Sequence, residues 1–132
     1  MQNGLAEKGD RRTVLSALWV FVVLNYLYAD LLIMIVRPGA YEAAAARMPQ
    51  WVMLAATALM ELLLGMVFLA RTLQYRANRR LNIIAGLVGT LFVAATLGRQ
   101  APSVYVLVSG IEIFCTVFIV WYAWTWRLTE KT

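Results

Sequence analysis

Four long apolar runs decide what this chain can become. Residues 14–36, 51–70, 81–98 and 103–126 form stretches of 18 to 24 residues, each with at most one acidic side chain. About 20 apolar residues carry an α-helix across a hydrocarbon core. Inside lipid the backbone must satisfy its own hydrogen bonds, so each run is expected to be helical. A hydrophobic fraction of 62% with only 14% charged residues lies outside the soluble range. The connections are short and no hydrophilic stretch could bury a separate core. The expected fold is therefore all-α: an integral membrane four-helix bundle of antiparallel up-down topology, one domain over residues 1–132.

Charge orients the bundle. The 12 Lys and Arg against 7 Asp and Glu could suggest nucleic acid, with Arg71, Arg76, Arg79 and Arg80 as the place to look. That cluster sits between two spans, where the positive-inside rule explains it better. With the N-terminus inside, nine basic residues (Lys8, Arg11, Arg12, Arg71, Arg76, Arg79, Arg80, Arg127, Lys131) fall on the cytoplasmic side and three (Arg37, Arg47, Arg99) on the other. Both termini are expected to be cytoplasmic, with no nucleic-acid partner. The bias also argues against small four-span exporters and fluoride channels that insert in both orientations, which need balanced loops.

Residue types that are missing exclude whole chemistries. Histidine is absent and Cys115 is the single cysteine, which removes histidine-based triads, haem ligation, paired-cysteine redox sites and cysteine zinc sites. No cofactor, no metal and no catalytic residue is expected. Arg11-Arg12 ahead of an apolar run resembles a signal n-region, yet the run is longer than the ~7–15 residues of a signal core. A retained signal-anchor span is expected.

Between the spans, residues 1–13 are polar, hold Gly4 and Gly9, and read as a frayed tail. Arg37-Pro38-Gly39 stops the first helix. The alanine-rich residues 41–48 are expected to form a short surface helix, either a plain extension of the loop or a membrane-surface element. Residues 71–80 contain no Pro or Gly and carry four arginines, a possible contact for anionic lipid head groups. Pro102 and Ser103 suit the start of the last helix. Trp51 at one interface, and Trp19, Trp121, Tyr122, Trp124 and Trp126 at the other, are expected to be interfacial anchors.

Asp30, Glu61 and Glu112 each lie within an apolar run, and carboxyl groups at that depth are costly. At ~1.5 Å per residue all three fall roughly 9 to 15 Å below the outer boundary. Helical spacing gives each acid polar or small neighbours: Tyr26 with Asp30, Thr57 and Gly65 with Glu61, and Tyr105, Ser109 and Thr116 with Glu112. These stripes are expected to face the bundle interior. Two readings stand. In one, Asp30, Glu61 and Glu112, supported by Tyr26, Tyr105 and Ser109, line a pocket for a proton, a cation or a polar ligand. In the other, the acids hydrogen-bond to Tyr26, Asn25, Thr57 or Ser109 across helices and fix the packing. In the third span Gly86, Thr90, Ala94 and Gly98 form a small-residue ridge, expected to receive a helix of the same chain or of a second subunit.

The stretches Leu15-Ser16-Ala17-Leu18-Trp19, Asn25-Tyr26-Leu27-Tyr28-Ala29-Asp30, Tyr75-Arg76-Ala77-Asn78-Arg79, Asn82-Ile83-Ile84-Ala85-Gly86, and Glu112 followed by Trp121-Tyr122-Ala123-Trp124 resemble a family of short bacterial four-span membrane proteins of unknown function. The resemblance covers nearly the whole chain. It implies a bacterial inner-membrane protein of the topology above and brings no activity or ligand with it. Membrane glutathione-dependent enzymes and vitamin K reductase-like enzymes fit worse, lacking here the Glu-Arg pairing and the cysteine pairs respectively. The expectation is a non-enzymatic inner-membrane protein whose small acidic intramembrane pocket binds or moves a proton, cation or small amphipathic solute. The alternative is a structural or interaction module whose acids fix packing or a homo-oligomer.

Overall fold

The computed structural model describes residues 2–97 and 102–127, with side chains from Gly9 onward. Five helices follow one another: α1 (Gln2–Val36), α2 (Ala40–Ala45), α3 (Gln50–Thr72), α4 (Tyr75–Thr96) and α5 (Ser103–Trp124). Among the described residues there is no strand. Four helices are long and apolar enough to cross a membrane: residues Gly9–Val36 of α1, and α3, α4 and α5 in full.

The helix ends correct several expectations. Residues 2–13, read as a frayed tail, continue α1, because extending a formed helix costs far less than starting one. The Arg11 guanidinium fastens this extension by donating to the Tyr122 carbonyl at 3.3 Å and lying 4.9 Å over the Tyr122 ring. Pro38 and Gly39 end α1 as expected. Gly39 takes φ 83°, a left-handed conformation that glycine alone adopts cheaply, and it turns the chain into α2. The third span starts at Tyr75, six residues before the apolar run does. Its expected end at Gly98, and the turn through Arg99, Gln100 and Ala101, lie outside the described residues.

Each of the four long helices buries one stripe. On α1 this is Leu15, Trp19, Val22, Tyr26 and Ala29; on α4 it is Asn78, Asn82, Ala85, Gly86, Gly89 and Val93; on α5 it runs from Val108 to Ala123. Helices α4 and α5 approach closely at Gly86. A Cβ there would stand 2.6 Å from Val120 Cγ2 and 3.1 Å from the Thr116 carbonyl oxygen. Beside it Thr90 and Thr116 share a hydrogen bond of 2.7 Å. The ridge is thus occupied within the chain at Gly86 and Thr90, whereas Ala94 is exposed.

Packing is uneven along the bundle. One end gathers the start of α1, the α3–α4 connection and the end of α5, and carries the dense core of Leu15, Trp19, Val22, Leu63, Met66, Ala70 and Ile119, all fully buried. At the other end α3 stands away from its neighbours: its buried residues are Leu63, Met66 and Ala70, with none in its first half.

The tryptophans divide accordingly. Trp51, Trp121 and Trp124 are exposed as anchors should be, but Trp19 and Trp126 are core residues. Trp126 packs edge-on against Tyr75 with ring centroids 5.1 Å apart, and the Tyr75 hydroxyl donates to the Trp126 carbonyl. Hydropathy distinguishes an apolar ring from a polar one, not a lipid contact from a helix contact.

Candidate functional site

Where α3 stands away, a cleft of about 560 Å³ opens, with walls from all five helices. Asp30, Glu61 and Glu112 all border it, and so do Tyr26 and Tyr105. The common depth of three carboxyl groups on three helices is therefore matched by a common space.

The acids differ in setting. Glu112 lies on the buried stripe of α5, 2% exposed, and its Oε1 has no hydrogen-bond partner. Tyr26, 8% exposed, likewise leaves its hydroxyl unpartnered. Asp30 and Glu61 are exposed, because they face the cleft and not packed protein. Asp30 accepts a 2.5 Å hydrogen bond from the Tyr41 hydroxyl. Partial burial first, then this bond and the Asp30 charge, push the Tyr41 phenol above its ordinary value, so it stays a donor. Tyr105 donates to Thr96 Oγ1 at 3.1 Å, tying α5 to α4 beside the cleft. Ser109 is wholly buried, its hydroxyl also unpartnered, but it is not among the residues bordering the cleft.

The bonds expected if the acids fixed the packing are not made. Asn25 donates to the Phe21 carbonyl and Thr57 to the Met53 carbonyl, each within its own helix. Among the described residues no group of three or more acidic, cysteine or histidine side chains is close enough to hold a metal ion. The acids share a space without forming an ion cage.

A family model matches residues 5–132. The chain belongs to DUF6326, a family of unknown function. No curated protein and no solved structure matches it.

Two features escaped sequence reasoning. Tyr41 lies on the connecting helix and reaches Asp30 only because Gly39 turns the chain; the Pro-Gly pair was its one signal. The second is a polar network at the densely packed end. Trp19 Nε1 donates to Asn82 Oδ1 at 2.7 Å, and Asn82 Nδ2 donates to Asn78 Oδ1 at 2.6 Å and to the Asn78 carbonyl at 2.8 Å. Asn78 Nδ2 then donates to the Ala70 carbonyl at 2.6 Å, and Ser16 Oγ to the Val67 carbonyl at 2.7 Å. Three helices are joined through side chains that are fully buried except for Ser16 at 3% exposure. The signal was present: two asparagines four residues apart in the stretches that carry the resemblance. Part of the basic cluster is structural too. Arg79 donates from Nε and Nη2 to the Ala123 and Trp124 carbonyls at 3.2 and 3.0 Å, where cations favour a helix C-terminus.

Proposed function

We propose that this protein is a non-catalytic, antiparallel up-down four-span protein of the bacterial inner membrane, with both termini cytoplasmic. In this reading the cleft lies in the outer half of the bilayer and binds a cation, a proton or a small amphipathic solute at Asp30, Glu61 and Glu112. The observation that carries it is the Glu112 carboxyl, almost wholly buried on the cleft wall with an oxygen lacking any partner. Buried polar atoms are satisfied in the great majority of cases, and an exception calls for a role. Tyr26 offers a second unpartnered group on the same wall. The orientation rests on the charge bias and the bacterial membrane on the family resemblance. Exposed Arg71, Arg76 and Arg80 are left to meet anionic head groups.

The alternative, that the acids exist to fix packing, is weakened by where the packing bonds lie. The Trp19–Asn82–Asn78 network and the Thr90–Thr116 pair join the long helices without using an acid.

The test is thermal unfolding in nanodiscs titrated with sodium, calcium or tetraethylammonium chloride at constant ionic strength, at about pH 5 and about pH 8. The parent should be stabilised by at least one cation, less so at the lower pH where protons compete. A variant carrying Asp30→Asn, Glu61→Gln and Glu112→Gln should stay folded and lose the response. Identical behaviour of parent and variant under every condition rejects the site.

A further inference from the structure

Resting on that reading, we infer that the cleft is built for a lipophilic organic cation, whose charged centre settles beside Glu112 while its apolar groups occupy the rest of the space.

Size comes first. A space of about 560 Å³ falls within the range that encloses drug-sized molecules, roughly 300–1,000 Å³, and exceeds what a proton or a bare metal ion requires. The acids also lack the convergence of a metal cage.

Charge sign comes second. Three carboxyl groups border the cleft and no Lys or Arg is among its described lining residues. The charged groups among the described lining residues are all acidic, so they favour a cation over an anion.

The walls come third. Met53, Met60 and Phe92 face the cleft beside the rings of Tyr26 and Tyr105. Thioethers are polarizable and adapt to irregular shapes, and aromatic faces attract organic cations. Desolvation then discriminates among cations. Glu112 is buried, so a partner must shed its water to reach it, and small inorganic ions and ammonium groups hold water tightly. A cation whose charge is wrapped in hydrocarbon loses little hydration and gains from the walls. The unpartnered Tyr26 hydroxyl on the same wall can accept from a ligand N–H.

The experiment is equilibrium dialysis of tetraphenylphosphonium against protein in nanodiscs, with empty discs subtracted. Tetraphenylborate serves as a probe of the same shape and opposite charge. Saturable binding of the phosphonium and none of the borate is expected. Glu112→Gln should weaken phosphonium binding about tenfold or more, the order of one partly desolvated charge–charge attraction. Glu61→Gln, at an exposed position, should weaken it less and covers the case in which the Glu112 variant misfolds. Equal binding of both probes would show an apolar cleft indifferent to charge and overturn the inference. So would spermidine binding more tightly than the phosphonium. Absence of phosphonium binding alongside a sodium or calcium response in the unfolding assay rejects the organic ligand and leaves the cation site standing; absence of both removes the two together.

Discussion

Asn82 joins α1 to α4 at the densely packed end, and its replacement gives the sharpest test of what holds the bundle together. Its side chain accepts from Trp19 and donates twice toward Asn78, with no exposed surface. Asn82→Leu keeps the branching and the number of heavy atoms, adds some bulk, and removes all three bonds. Hydrogen bonds within membrane bundles contribute about 0.6–2 kcal/mol each, and an indole N–H left buried without a partner costs about 1–3 kcal/mol. A loss of about 2–4 kcal/mol is expected. Trp19→Phe opens a cavity and leaves the Asn82 acceptor unpaired, so it too should destabilise. Combined, the two changes remove donor and acceptor together, and their joint cost should fall short of the sum by about 1 kcal/mol or more. Unfolding by sodium dodecyl sulfate in mixed micelles, followed by circular dichroism so that loss of a tryptophan does not alter the signal, measures each corner of the cycle. Strict additivity, or an Asn82→Leu cost below about 0.5 kcal/mol, would refute the claim that this network carries the packing.

Two further outcomes follow from the geometry. Gly86→Ala sets a methyl against Val120 and the Thr116 carbonyl and should cost about 1–2 kcal/mol despite the better helix propensity of alanine; Gly65→Ala, with nothing within 4 Å of the added carbon, should be neutral or stabilising in the same unfolding assay. The raised Tyr41 phenol means the folded state keeps that proton at pH values where the unfolded chain has released it. Its stabilising contribution is therefore present below the ordinary tyrosine value and lost as pH rises beyond it, so Tyr41→Phe should flatten the alkaline fall of the melting temperature.

The spans were legible because hydropathy and helix length answer one question, whether a segment can cross lipid, and the four runs answer it without help from partners. The shared level of Asp30, Glu61 and Glu112 was legible too, since axial rise is fixed by helix geometry. What depended on rotation and on distant partners was not. Asp30 and Glu61 were expected on stripes facing the bundle interior; both border the cleft and are nonetheless exposed, because α3 buries no residue over its first half. Ser109 shares the stripe of Glu112 but lies off the cleft. Trp19 was read as an anchor because its partner Asn82 is 63 positions away. Asn78 fell within the basic connection and Asn82 just inside the third apolar run, and neither was given a packing role, since a polar residue near the end of such a run looks solvated until its neighbours are known.

The uneven packing makes the molecule a vestibule with a floor. A solute in the cleft meets, further along the bundle, the indole of Trp19 bonded to Asn82 and backed by Leu63, Met66 and Ile119. If the proposed site also passed its solute across the bundle, that knot would have to part. If parting costs about 4 kcal/mol, the open form is populated about once in a thousand, enough for slow leak and too little for a standing pore. On the proposed reading, the step from binding to passage would be set by how firmly Trp19, Asn82 and the core around them hold that floor closed.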